Sequence, residues 1–278
     1  MAPTRTQAID IDVAELVSGL YTDGIVASRG AFSREWAAAL REDIEAVFAE
    51  AIERPGGAVG RGPHRYYVEM HPADLRGFVD LVAHPWVVAV SEAVLGADYQ
   101  VVEIGFDIPF AGAANQPWHR DFPSPSETYE GKRLTSLAFN LTGVDTTAEM
   151  GPLEIVPGTQ WESGLDFAHQ MFPDAGEWPR YAGLSQPKMP QMGDISARSA
   201  LTIHRGTANK STLSRPVLVL GVDAPGAGHA ELHDLQVTPD YYHALPAEVR
   251  RHLTCRLVER LEPIVQKHQI EGLMMGAP

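Results

Sequence analysis

Apolar residues recur at three- and four-residue steps through the first hundred positions, and at two-residue steps after them. Trp36, Leu40, Ile44, Val47, Phe48 and Ala51 form one stripe, which predicts a helix from a Ser33 cap to about Arg54. Pro55-Gly56-Gly57 ends it. Asp12 predicts the cap of a shorter helix through Leu20. Two more helices are predicted near Ala73–Val82 and Pro85–Leu95, with Pro85 at a first helical position and Gly96 as the stop. In this part only Arg65–Met70 reads as a strand.

Beyond Gly96 the pattern predicts strands at Tyr99–Phe110, Pro117–Phe122, Leu134–Val144, Leu153–Val156, Ala200–His204 and Val217–Val222. They are short, rich in β-branched and aromatic residues, and separated by Gly, Pro, Asn and Asp. Such spacing indicates a sandwich or barrel. A final helix is predicted from Pro246 to about Leu261, with Leu245, Val249, Leu253, Leu257 and Leu261 on one face. The expectation is one α+β, mainly β domain over 1–278. It has a helical part at about 10–98, a β-core at about 99–237 with an insertion at about 160–198, and a C-terminal helix at about 246–262. The insertion carries Trp161, Phe167, Phe172, Trp178 and Tyr181, which suit either a lid or a satellite core.

Composition narrows the function classes. Lys and Arg number 22 against 36 Asp and Glu, for a net charge of −14. That opposes a phosphate-neutralising nucleic-acid binder and, more weakly, docking on an anionic membrane. Gly 25 and Pro 21 exceed the usual combined share of about 12% and indicate many turns. Cys255 is the sole cysteine, so no intramolecular disulfide forms. Met1–Asp12 shows no basic stretch followed by an apolar core, and no run approaches the length of a membrane span. The expectation is a cytoplasmic monomer or homodimer acting on a small molecule.

The chemistry concentrates at Trp118-His119-Arg120-Asp121. On a strand, residues i and i+2 share a face, so His119 and Asp121 project side by side. A second imidazole would complete a two-His, one-carboxylate triad, the set that leaves positions open on non-haem iron. His204 closes an apolar run, and Arg215 follows eleven residues later, before Pro216 and another strand. In a hairpin the two would face the interior from neighbouring strands. An inward Arg needs an anionic partner, and a carboxylate matches its planar fork. Between these lies Gly151-Pro152-Leu153-Glu154-Ile155-Val156-Pro157-Gly158-Thr159.

Taken in this order, His119-x-Asp121, the Gly151–Thr159 segment, His204 and Arg215 resemble the phytanoyl-CoA dioxygenase-like family. The resemblance covers about residues 20–225 in element order. It implies a double-stranded β-helix (jelly-roll, cupin-like) barrel with the terminal helices packed outside. It implies an Fe(II)- and 2-oxoglutarate-dependent dioxygenase that uses O2 and releases succinate and CO2. His119, Asp121 and His204 would ligate iron, and Arg215 would bind the distal carboxylate of 2-oxoglutarate. Gln116 and Asn140 are candidates for its other end. Strand parity puts Asn140 with Leu134, Ser136 and Ala138 on one face without saying which face is inward. Some relatives carry Ser two residues after the distal His, where this chain has Gly206. Halogenating relatives replace the carboxylate ligand, so Asp121 implies hydroxylation or another oxidation of an unactivated C–H.

Arg65, Tyr67, Trp118 and Arg120 are the candidate substrate contacts. Parity points Arg120 away from His119 and Asp121 unless the strand ends there, and an Arg-rich rim would favour an amino acid or organic acid. Natural-product intermediates are a further class. His229-Ala230-Glu231-Leu232-His233 lacks the Glu of a zincin motif and reads as solvated. Cys255 reads as a structural thiol. Two competing readings are a cupin-like metal isomerase or dioxygenase without 2-oxoglutarate, and a non-enzymatic metal or ligand sensor.

Overall fold

The two predicted caps form: the Asp12 carboxylate accepts the Glu15 N–H at 3.0 Å and the Ser33 hydroxyl accepts that of Trp36 at 3.1 Å. In the computed structural model, which describes residues 11–267, these open helices α1 (Val13–Thr22) and α2 (Arg34–Ala51), with strand β1 (Ile25–Ser28) between them. Most of Met1–Asp12 lies outside the described residues. β2 (Val59–Gly60) and β3 (Arg65–Glu69) follow. The helix predicted at Ala73–Val82 divides into a 3-10 turn, Pro72–Asp74, and α3 (Phe78–Val82). Between them Gly77 lies so close to the Trp36 indole that a Cβ would collide with it. α4 (Pro85–Leu95) ends at Gly96, whose φ of 94° favours glycine.

The remaining elements are β4 (Gln100–Pro109), α5 (Ser126–Tyr129), β5 (Ser136–Thr142), β6 (Leu153–Ile155), α6 (Trp178–Leu184), β7 (Gln186–Lys188), β8 (Ile195–Ser199), β9 (His204–Gly206), β10 (Val217–Asp223), β11 (Gln236–Val237), α7 (Pro239–Ala244), α8 (Ala247–Arg250) and β12 (Arg256–Leu257). Seven strands form an antiparallel sheet in the order β1-β8-β5-β10-β4-β3-β2, and three form a second in the order β7-β6-β9. Among the described residues no helix is long and apolar enough to cross a membrane.

Alternation along the large sheet separates its faces. Ile104, Phe106, Phe139, Leu141, Leu218 and Leu220 are buried in one core with residues of α2 and α4, and Trp86 meets Phe139 edge-on at 6.0 Å. Their neighbours Glu103, Asp107, Asn140, Val217 and Val219 line a cavity that the small sheet also walls through Leu153, Lys188 and His204. This settles the parity question for Asn140, which faces inward.

Four sequence expectations are corrected. Pro117–Phe122 is not a strand: it makes a single bridge, His119 to His204, and the Asp121 N–H goes to Ala200. Ala200–Ile203 is a turn between β8 and β9, where the chain leaves the large sheet for the small one. The 160–198 segment is not wholly an insertion, since β8 sits between β1 and β5 in the large sheet. The helix at 246–262 stops after α8. The edge of β4 captures the chain there: Val101 donates to His252 O at 2.7 Å and accepts from Thr254 N at 3.0 Å. Leu245, Val249 and Leu253 still reach the core, whereas Leu257 is exposed.

Candidate active site

His119, Asp121 and His204 each offer a ligand atom within 4.8 Å of the others. The bridge between the two segments sets this distance, and their imidazole centroids are 4.4 Å apart. Each ring is oriented by its own chain. His119 Nδ1 lies 2.9 Å from Pro117 O, and His204 Nδ1 lies 2.9 Å from Thr202 O. A carbonyl only accepts, so each Nδ1 carries the proton and each Nε2 keeps its lone pair. Burial lowers the His119 pKa to about 4, against the attraction of Asp121. Burial lowers that of His204 as well, aided by Arg198 and His119. Burial opposes ionisation of Asp121, but the Arg198 charge and its hydrogen bond outweigh it and hold the carboxyl below the usual range. Two neutral imidazoles and one carboxylate are the donor chemistry that a divalent transition metal requires, so the residues fit an iron ion.

Arg198 is the partner that sequence reasoning missed. Its Nη1 lies 2.7 Å from Asp121 Oδ2, which leaves Oδ1 on the histidine side, 3.5 Å from His204 Nε2. Holding one carboxylate oxygen in this way fixes the other for a ligand role.

On one side of these groups lies a strongly cationic pocket end. Arg215 is 5% exposed, and its Nε donates to Met150 O at 3.2 Å. Burial and the neighbouring Arg65 lower its pKa to about 10. Arg65 donates to Asp107 at 2.7 Å and to Thr207 O at 2.9 Å, and its Nε has no partner. Asp107 is thus committed to Arg65, and the Arg215 guanidinium has no ion pair among the described residues. Gln116 Oε1 accepts the Gly206 N–H at 2.8 Å. His204 and Arg215 do not form the expected hairpin pair. β9 belongs to the small sheet and β10 to the large one, so they face the cavity from different sheets.

Gly206 also finds its reason here. A Cβ there would strike the Arg65 guanidinium and lie 2.8 Å from Gln116 Oε1. Gly206→Ala should therefore displace Arg65 and lower stability by about 1–3 kcal/mol, as overpacking does. Denaturant unfolding of the two proteins checks this, and an unchanged midpoint and slope would refute the crowding. Gly151 is equally confined, since a Cβ would run into the backbone of Thr207 to Asn209. The Gly151–Thr159 motif thereby packs its start against the turn that follows β9.

The cavity measures about 170 Å³. Arg65, Tyr67 and Arg120 line it, but Trp118 does not. The Trp118 indole is fully buried with Val156, Tyr181 and Ile203, under Arg205 at 4.3 Å, which removes it from the substrate candidates. Arg120 turns towards the long loop, where Nη1 donates to Glu162 O at 2.8 Å. Of the five insertion aromatics, only Phe172 lines the cavity, 5.9 Å from the His119 ring. Phe167, Trp178 and Tyr181 belong to the Trp118 cluster, and Trp161 packs on Tyr21. His233, read from sequence as solvated, is buried against Glu69 and lines the cavity with Glu103. No local motif marks Arg198, Glu103 or His233.

A search of curated proteins finds no match. Among solved structures, EctD from S. alaskensis, with 2-oxoglutarate and 5-hydroxyectoine, aligns with TM-score 0.60 at 17% identity over 80% of this chain and 79% of that one. SnoK, a non-haem alpha-ketoglutarate-dependent carbocyclase from nogalamycin biosynthesis, aligns with TM-score 0.62 at 22% identity over 84% and 93%. AviO1 from Streptomyces viridochromogenes Tue57 aligns with TM-score 0.58 at 18% identity over 79% and 98%. At these identities the likeness is one of fold. The sequence profile of the phytanoyl-CoA dioxygenase (PhyH) family matches residues 20–217, and the chain belongs to that family, whose enzymes use Fe(II), 2-oxoglutarate and O2.

Proposed function

We propose that this protein is an Fe(II)- and 2-oxoglutarate-dependent oxygenase that hydroxylates, or otherwise oxidises, an unactivated C–H of a compact metabolite, releasing succinate and CO2. The two facing sheets would be the halves of a double-stranded β-helix barrel. The observation that carries the reading is the pairing of two features in one cavity. One is the His119–Asp121–His204 donor set, and the other is a buried Arg215 with no carboxylate of its own.

His119 Nε2, Asp121 Oδ1 and His204 Nε2 would hold the metal. When bound, iron with 2-oxoglutarate and O2 supplies the oxidising power that no side chain has. The protein's own residues do the rest. Arg215 would take the distal carboxylate in a forked pair, with Arg65 adding positive charge beside it. Gln116 and Asn140 would meet the other end through their side-chain N–H groups; Asn140 Nδ2 makes only a long contact to Leu218 O at 3.5 Å. Arg198 keeps Asp121 ionised and oriented. Phe172 and Met171, from the long loop, wall the cavity near His119 and exclude water. A cavity of this size suits a small metabolite better than a bulky polyanionic thioester, as does the chain's net charge of −14.

The test is anaerobic titration of the apoprotein with Fe(II) and 2-oxoglutarate. A visible metal-to-ligand charge-transfer band should grow to one equivalent. Its absence in protein that has taken up iron would sink the reading. Succinate release across a metabolite panel then addresses the substrate.

A further inference from the structure

One row of the large sheet crosses the cavity floor from a cation to an anion. The register places Arg198 opposite Ala138, Ala138 opposite Gly221, and Gly221 opposite Glu103. Directly opposed antiparallel residues share a face, so all four point to the cavity side. Ala138 and Gly221 keep the floor between the two charged ends low. Gly221 has to be small, because a Cβ there would lie 2.6 Å from Glu103 Oε2. Gly105 is needed for a similar reason: its place over the strand is filled by the Tyr67 ring, with Oη 2.5 Å from where a Cβ would stand. Across this gap the Tyr67 hydroxyl donates to Glu103 Oε1.

Beyond Glu103 stands His233. Its Nδ1 is 3.1 Å from Glu69 Oε1, and its Nε2 is 3.9 Å from Glu103 Oε2, too far for a hydrogen bond. The His233 side chain is 4% exposed, yet Nε2 has no partner and the residue lines the cavity. A buried polar atom left unpaired is costly unless a ligand meets it. The charges are unbalanced as well. Glu69 and Glu103 supply two carboxyl groups and His233 at most one positive charge, and burial raises the Glu103 pKa, so a cation that meets Glu103 is what favours its ionised form. Tyr67 adds none, since burial and then the two carboxylates hold its phenol protonated. Over the same tyrosine ring, the Arg61 guanidinium lies 5.1 Å from the centroid and has no ion pair among the described residues. Arg61 lines the cavity too.

We propose that the substrate is a small zwitterion, its ammonium or amidinium group held by Glu103 in the gap beside His233 and its carboxylate by Arg61. The inference rests on the oxygenase reading above and names the substrate class for that site. The cation supplies the charge that the Glu69–His233–Glu103 cluster lacks, and it uses the open Glu103 Oε2. The carboxylate uses Arg61, a cavity guanidinium that no acid side chain pairs with among the described residues and that the 2-oxoglutarate site does not claim. Arg198, already committed to Asp121, closes the row at the metal end.

The probes are linear ω-amino acids of three to six carbons, the matching carboxylic acids and the matching amines. Each is added at equal millimolar concentration to protein loaded anaerobically with Fe(II) and 2-oxoglutarate. At least one amino acid should raise the thermal unfolding midpoint more than either of its single-charge counterparts. Glu103→Gln should weaken that amino acid roughly ten- to hundredfold. Arg61→Gln, which breaks no ion pair among the described residues, gives a second reading should the buried variant fail to fold. Equal effects from acid and amino acid, no stabilisation by any amino acid, or unchanged affinity in Arg61→Gln would overturn the proposal. The charge-transfer band, read on the same samples, separates the two levels. A normal band without zwitterion preference overturns the substrate class alone, and a missing band overturns the oxygenase reading beneath it.

Discussion

His204→Ala is expected to abolish the Fe(II)- and 2-oxoglutarate-dependent charge-transfer band, with iron affinity falling by more than about 100-fold. Loss of an outer partner of a metal ligand already costs 10–100-fold, and His204 would be a ligand itself. The Ala200–Ile203 turn and the bridge to His119 place its Nε2 in the triad, and no other described His, Asp or Glu belongs to that cluster. No neighbour can therefore replace it. Metal content after dialysis and the band itself are the measurements, and iron retained at wild-type level would remove His204 from the site.

The same variant carries a pH signature. Both ligand imidazoles are held neutral in the fold, His119 down to about 4 against 6.5 in the open chain, chiefly by burial. The unfolded chain takes up these protons first. Apoprotein stability therefore falls as pH drops from 6.5 towards 4. With one of the two bases gone, that fall should be shallower in His204→Ala. Urea unfolding of metal-free protein at several pH values reads it.

The triad was legible in the sequence because its chemistry is local. His119 and Asp121 are two residues apart, and their order with the Gly151–Thr159 segment, His204 and Arg215 carries the resemblance to the family. What sequence could not supply was the pairing of strands. Arg198 reads as one polar residue in a long segment rich in Pro, Gly and aromatics, and only the register of β8 against β5 brings it over Asp121. Glu103 lies in an apolar run, where one inward carboxylate looks like an interruption. Its neighbours Gly221 and Tyr67 come from strands that are remote in sequence. The same blindness explains the misread elements. Ala200–Ile203 is apolar because it is buried, and burial alone does not distinguish a strand from a tight turn. The Leu245–Leu261 stripe has helical spacing, but the free edge of β4 offers the chain backbone partners from His252 onward, and tertiary pairing overrides propensity. The helices before Gly96 were read well because their caps and stops are local signals.

Arg215→Met is expected to weaken 2-oxoglutarate by roughly a hundredfold, about 3 kcal/mol, and at the same time to stabilise the ligand-free protein. Both effects have one origin. The guanidinium is buried beside a second one, Arg65, and the nearby Asp107 already pairs with Arg65. Burial first, and Arg65 next, bring its pKa down to about 10. A base with a lowered pKa in the fold destabilises the fold while it is charged. The unfolded chain keeps the proton to higher pH than the fold does, so native stability should rise as pH climbs past about 10, and this rise should vanish in the methionine variant. At neutral pH the charged side chain costs the empty protein a few kcal/mol, and a dicarboxylate that meets it recovers the cost. Arg215→Lys should not restore binding, because an ammonium lacks the planar fork that grips both carboxylate oxygens. Calorimetric titration of 2-oxoglutarate and thermal unfolding without it are the two measurements. If methionine left the affinity intact, the anion site would lie elsewhere. If affinity fell without any gain in unliganded stability, Arg215 would be balanced by a charge other than the ligand's.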